Sequence, residues 1–171
     1  MHVAVRDREV FMNTTPPFRA DHVGSLLRPP ALRQARAELE GDLQRTVHSS
    51  EYRSSSKLGP LEDAAIREAV ALQERVGLQS ITDGDFRRRS WYQDFVLAID
   101  NTAIRFEIGP LSFVDDQGNR ATTPQICIEG KLRRTGPIML EAYTFLRETT
   151  KQTPKVTMPA PTEIHFFAAG M

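Results

Sequence analysis

Apolar positions along the chain recur with two different periods. Leu61, Ala65, Ala69, Leu72 and Val76 repeat at three- and four-residue spacing, which predicts a helix with one buried stripe. Pro60-Leu61-Glu62-Asp63 opens it, because proline suits the first helical position and two acids complement the positive end of the helix dipole. Gly77 is placed to cap its far end. Leu78 to Asp85 then reads as a short strand running into a polar turn. A helix that feeds a strand across one glycine is an α/β signature. The same alternation predicts a strand at 125–130, a helix through Met139, Ala142, Tyr143 and Leu146, and a further strand at 155–159. Upstream, 18–25 is a candidate first strand, with Leu32, Ala35 and Leu39 on the inner face of the helix that follows.

The stretch 95–121 breaks the alternation. Ile104 to Ile108 alternates apolar and polar residues, and Asp115-Asp116-Gln117-Gly118-Asn119 is a turn cluster. A β-hairpin inserted after the second strand is expected. Residues 1–17 read as a loose lead-in, with Pro16-Pro17 barring a helix, and the Ser-rich segment 41–59 as a surface loop or frayed helix. Four βα units predict a parallel-sheet α/β protein. The 171 residues are too few for a complete (β/α)8 barrel, which takes about 250. A free-standing four-strand sheet would leave its last element without a covering helix, whereas parallel sheets are usually buried on both faces.

Charge removes some functions from the list. The chain has 22 basic and 22 acidic side chains and a formal net charge of zero, which argues against a dedicated nucleic-acid or membrane-surface binder. It has no apolar run of transmembrane length, and Met1 to Val10 lacks the apolar core of a signal peptide, so a cytoplasmic protein is expected. A single cysteine, Cys127, excludes an internal disulfide and a Cys-based zinc knuckle.

Chemistry in such folds gathers at the C-terminal ends of strands. Four places qualify. At Asp21-His22-Val23-Gly24-Ser25, backbone N–H groups and the Ser25 hydroxyl suit a carboxylate. At Thr82-Asp83-Gly84-Asp85, two carboxylates around a glycine suit an ammonium group. Glu129-Gly130-Lys131 and Pro159 to His165 complete the set. Each has an ordinary structural reading too. A Gly-Ser pair is often only a turn, Asp-Gly-Asp a solvated turn or helix cap, and His22 or His165 a hydrogen-bonded structural histidine. Cys127, between Ile126 and Ile128, reads as an inert strand thiol. The Arg87-Arg88-Arg89 run reads as a solvated helix start. Residue types alone reach an α/β chain with an amino-acid or anion pocket.

Taken together the segments say more. Phe18 to Pro29, then Glu62-Asp63-Ala64-Ala65-Ile66, then Ile81 to Arg88 with Ser90-Trp91, then Gly130 to Ile138 and Pro159-Ala160-Pro161-Thr162, resemble the cobalamin-independent methionine synthase family. The likeness is to its shorter, single-barrel relatives that match the C-terminal catalytic domain. It runs from about residue 18 to 171 and implies the N-terminal half of a (β/α)8 TIM barrel, about the first four βα units.

The resemblance implies methyl transfer from methyltetrahydropteroyl-glutamate, a methyltetrahydrofolate, to the sulfur of homocysteine, giving methionine. It also implies zinc as the group that binds the thiol, since coordination strips a thiol of its proton. Val23-Gly24-Ser25, beside His22, matches the family segment that holds the amino-acid part of the substrate. Asp85 takes the place of the family glutamate that meets the substrate ammonium, one methylene and about 1.5 Å shorter. The family zinc ligands lie in the later half of the barrel, and Cys127, His22, His48 and His165 match none of them. No catalytic residue and no metal ligand is therefore assigned, and the chain alone is expected to be inactive. Two other readings stand beside this one. One is a related transferase acting on another thiol. The other is a non-catalytic half-barrel that self-associates or pairs with a separate C-terminal half.

Overall fold

A computed structural model describes residues 20–42, 58–88, 91–99, 103–118, 120–134 and 136–167. The element order is α1 (Pro30–Asp42), α2 (Leu58–Arg75), β1 (Ser80–Ile81), α3 (Gln93–Ile99), β2 (Ile104–Val114), β3 (Arg120–Ile128), α4 (Leu140–Thr149), β4 (Thr153–Pro154) and α5 (Thr162–Phe167). The expected lead-in at 1–17 and most of the Ser-rich segment lie outside the described residues.

The helix expected at 60–76 is α2, starting two residues early. Pro60 sits within its first turn, where a missing N–H costs nothing because that donor has no intrahelical partner. Glu62 and Asp63 consequently fall just beyond that turn. Gly77 ends the helix at φ +85°, with its N–H on the Glu74 carbonyl at 3.0 Å and the Leu78 N–H on the Gln73 carbonyl at 3.0 Å. That pair of bonds is a Schellman cap, which requires the left-handed backbone a glycine adopts freely.

Two apolar clusters form the core. In the first, Leu32 from α1 meets Leu58, Ala65, Ile66, Ala69 and Val70 from α2, with Ile81, Phe86 and Leu146. The expected Ala35 and Leu39 pack against it. In the second, Tyr92, Phe95 and Val96 pack on Ile104 and Ile126 of the hairpin. Each fully buried side chain of this size is worth about 1.5–3 kcal/mol relative to exposure.

β1 and β4 pair in parallel, Ser80 with Thr153 and Ile81 with Pro154. The ladder runs on past the strands, since the Lys155 N–H donates to the Ile81 carbonyl at 2.8 Å. β2 and β3 form the expected hairpin, from Ile104 opposite Ile128 out to Val114 opposite Arg120. Its register shifts between Ile108 and Ser112. At the turn, the Gly118 N–H reaches the Asp115 carbonyl at 2.9 Å with Gly118 at φ +83°.

The four-unit partial barrel is not what the described residues display. Parallel pairing is confined among them to β1 and β4. Residues 125–128, expected as an independent parallel strand, are the return arm of the hairpin, and its ladder with β2 takes their main-chain groups. Residues 20–25 run without strand pairing, and none of 155–159, expected as a strand, lies in one; the paired residues are Thr153–Pro154, just before them. The fold is mixed α/β, built around one short parallel pair and one long hairpin.

Candidate functional site

The segment 82–88 leaves β1 and is held from α2. Gln73 donates its amide to the Thr82 carbonyl at 2.8 Å and accepts the Thr82 N–H at 3.0 Å. A buried side-chain amide thus stands in for a neighbouring strand. Gln73 continues the α2 stripe of Ile66, Ala69 and Val70, and a polar residue at a stripe position was the signal the sequence offered.

Past Thr82 the backbone turns left-handed twice, at Gly84 (φ +67°) and at Asp85 (φ +59°). The Gly84 carbonyl accepts the Leu26 N–H at 3.1 Å, which ties the N-terminal segment to the turn. A Cβ at Gly84 would lie 3.1 Å from the Phe86 ring and 3.2 Å from Leu26, so a side chain there would push both neighbours back by a few tenths of an ångström besides straining the backbone. Asp83 braces the second residue by accepting the Asp85 N–H at 3.0 Å. A non-glycine residue held left-handed stores strain, and such residues concentrate at functional sites.

Asp85 is nearly buried, at 5% exposure, and its carboxylate gathers three side chains. The Ser25 hydroxyl donates to Oδ2 at 3.1 Å, and the Thr157 hydroxyl to Oδ1 at 3.4 Å. The Arg88 guanidinium stands 3.3 Å from Oδ1. Three stretches far apart in sequence therefore meet: Ser25 before α1, Asp85 after β1 and Thr157 after β4. Ser25 and Asp85, assigned to one site from the sequence, are neighbours in space.

Arginines wrap this turn. Arg28 donates to the carbonyls of Asp85 at 3.0 Å and Arg88 at 2.7 Å. Arg36 donates to the carbonyls of Arg88 at 2.9 Å and Phe86 at 2.5 Å, and forms a buried ion pair with Glu62 at 2.6 Å. Arg88 also donates to the Thr157 carbonyl and lies 3.4 Å from the Met139 sulfur. Arg87 pairs with Asp63 at 2.5 Å and lies over the Phe145 ring at 4.6 Å from its centroid. The Arg87-Arg88 pair is thus internal wiring, not the solvated helix start its sequence suggests. Sequence reasoning missed Arg36, Arg88 and Thr157 alike.

His22 turns its Nε2 to the Gly24 carbonyl at 2.8 Å, which closes its own loop. Val23 is 79% exposed. Gly24 adopts φ +92° with nothing within 4 Å of a virtual Cβ. Lys155 anchors the start of this loop through the Asp21 carboxylate and the His22 carbonyl. Its hydrogen bond is the chief reason the Asp21 carboxyl lies below its usual range. Asp83 goes the other way: burial pushes its carboxyl up, against the opposing pull of the Asp85 N–H.

The other two candidate places do not join this cluster. Glu129 pairs with Arg105 on the hairpin at 2.8 Å. His165 is exposed on α5. The Cys127 thiol, on β3, is pushed up by desolvation and then by neighbouring Glu107, which keeps it protonated. Among the described residues, no three His, Cys, Asp or Glu side chains gather so as to hold a metal ion. His22 serves its own loop and Cys127 the hairpin, so these residues do not fit the zinc that the resemblance implies. What the Asp85 cluster can do is bind: a buried anion with two hydroxyls beside it suits an ammonium group and polar neighbours. Among the described residues, no helix is long and apolar enough to cross a membrane.

No family model matches the chain. Individual proteins do. Uncharacterized protein YxjH of Bacillus subtilis is 33% identical over 88% of this chain and 37% of its own length. Uncharacterized protein YxjG of the same organism is 35% identical with the same coverage. The 5-methyltetrahydropteroyltriglutamate–homocysteine methyltransferase of Thermotoga petrophila is 27% identical over 87% of this chain and 18% of its own. A crystal structure from Listeria monocytogenes, provisionally named a vitamin-B12 independent methionine synthase, superposes with a TM-score of 0.66 at 29% identity. That match takes in 91% of this chain and 40% of the Listeria chain. The chain therefore spans well under half the length of the relatives it matches. Sequence and structure agree on the kinship: the chain is similar to cobalamin-independent methionine synthase-like proteins.

Proposed function

We propose that this chain forms the amino-acid-binding part of a thiol S-methyltransferase of the methionine-synthase type, with homocysteine as acceptor and a methyltetrahydrofolate as donor. The observation that carries the reading is the meeting of Ser25 and Thr157 hydroxyls on the buried Asp85 carboxylate. In this reading the chain is the first part of a (β/α)8 barrel, which the likeness to the Listeria structure and the parallel β1·β4 pair support.

The chemistry follows from anchoring. An α-amino acid carries an ammonium and a carboxylate on one carbon. Asp85 takes the ammonium, and the Ser25 hydroxyl with the backbone of the Gly24 loop takes the carboxylate. Held at that end, the ligand can swing only its side chain, which aims the sulfur at the methyl donor. In the transfer, a carbon–sulfur bond forms as the carbon–nitrogen bond to the donor breaks, and the nitrogen keeps the electron pair. Fixing one partner is worth several kcal/mol of barrier, up to about 7–11 in well-oriented cases. The groups that activate the thiol are not drawn from the described residues, and the 171 residues alone bind without turnover.

Titration calorimetry of the chain with L-methionine and L-homocysteine tests this. Saturable one-to-one binding that weakens in D85N and S25A is the expected result. No heat at millimolar ligand, or binding indifferent to both variants, overturns it. A related thiol acceptor is the second reading. Asp85 favours it, being short and folded back at φ +59°. A thiol without an amino group that binds as tightly as homocysteine would establish that alternative.

A further inference from the structure

The Arg88 side chain is nine-tenths buried and fixed at both ends. Its backbone carbonyl is gripped by Arg28 and Arg36, and its N–H donates to the Asp85 carbonyl at 3.1 Å. Its guanidinium joins the Asp85 carboxylate, the Thr157 carbonyl and the Met139 sulfur. The two hydroxyls on Asp85 can rotate, and neither enforces a direction. A planar guanidinium does, because its donors are fixed in a fork. A carboxylate has about four acceptor directions. Among the described residues, Ser25, Thr157 and Arg88 take three.

We infer that Arg88 is a positioning residue for Asp85: it fixes the carboxylate so that its remaining acceptor direction meets the ammonium group of the ligand. This rests on the proposed amino-acid site. The left-handed backbone at Asp85 gives the assignment its force, since a strained residue holds its geometry only where neighbours over-determine it. Arg88 connects that residue to the segment after β4 and to Met139, at the start of α4. It acts through Asp85 without touching the ligand, so its influence must track the ligand amino group alone.

Three probes separate the roles by calorimetry on the whole 171-residue chain: L-methionine, L-methioninol, which lacks the carboxylate, and 4-(methylthio)butanoate, which lacks the amino group. R88Q is expected to weaken methionine and methioninol by about tenfold or more, the usual effect of disturbing a hydrogen bond to a charged group. It should leave the butanoate unchanged. R88K, which keeps the charge but loses the fork, should recover part of the loss. If methionine and the butanoate weaken while methioninol is spared, Arg88 binds the ligand carboxylate directly and the inference fails. Equal losses for all three probes make Arg88 merely structural and also overturn it. Should circular dichroism show R88Q unfolded, R88K is read against the same three probes by the same rule. If wild-type chain does not bind methionine, the proposed site itself falls, which is a separate outcome.

Discussion

Gly84→Ala is the perturbation that most sharply couples the fold to the site. Gly84 sits at φ +67°, where alanine costs about 1–2 kcal/mol. The new Cβ would also meet the Phe86 ring at 3.1 Å and the Leu26 Cβ and Cδ1 at 3.2 Å. The Leu26 Cβ cannot swing aside, because the Leu26 N–H is bonded to the Gly84 carbonyl itself. Overpacking of this kind adds about 1–3 kcal/mol. Gly77 is the natural control, since it has φ +85° and nothing within 4 Å of its virtual Cβ. Gly77→Ala therefore carries the backbone cost alone. Urea unfolding followed by circular dichroism gives both values. With a slope of about 2 kcal/mol per molar urea, the Gly84 midpoint should fall below the Gly77 midpoint by roughly 0.5–1.5 M. Because Leu26 adjoins Ser25, methionine affinity should drop in the first variant and hold in the second. Equal midpoints would mean that the turn yields freely around Gly84, and the tight packing argument would be refuted.

Arg36→Met should cost about 3–5 kcal/mol in the same assay, since it takes the close partner of the buried Glu62 carboxylate, leaving it Arg87 at 3.7 Å, and removes the Arg36 donor from the Phe86 carbonyl; a loss below about 1 kcal/mol would show that the pair is not buried in solution. Asp83→Asn should stabilise the chain at neutral pH, with the gain shrinking toward pH 4. The sign follows from the raised carboxyl: the folded state holds that proton more tightly, so wild-type stability falls as pH rises from the ordinary carboxylate value through the folded one. A gain that does not change between pH 4 and 7 contradicts it. Asp21→Asn should cost under about 1 kcal/mol, because Asp21 is half-exposed. Its effect should be present at neutral pH, vanish as pH falls through the lowered Asp21 value, and fade in 1 M salt. A cost that is the same at pH 3 and in high salt would remove the ion pair as its cause.

The long periodic elements were legible because their signals are local. The α2 helix, its Gly77 cap, the α4 spacing and the hairpin turn each depend on residues within a few positions. The buried face of α2 was only half legible: Ala65 and Ala69 are buried as expected, but Leu61, Leu72 and Val76 are exposed, and Ile66, Val70 and Gln73 take their place. Strand partners were not legible. Gln125 to Ile128 is apolar enough to be a buried parallel strand, and nothing within it states that its ladder runs to Ile104–Glu107. The helices α3 and α5, at seven and six residues, are too short to show a period. In the site, Ser25 and Asp85 were legible as polar residues beside turn glycines. Arg36, Arg88 and Thr157 were not, because a buried arginine is written in the same letters as a solvated one. Arg36 did leave a trace: it lies four residues after Leu32, on the α1 face that carries Ala35 and Leu39.

The most direct test of the amino-acid site is a ¹H–¹⁵N NMR titration of the chain with L-methionine. Saturable shifts should concentrate at 22–28, 83–88 and 155–158, the three segments that meet on Asp85, and disappear in D85N. Shifts that fail to saturate, or that gather on the β2–β3 hairpin and spare those segments, would contradict the assignment of an amino-acid site to Asp85.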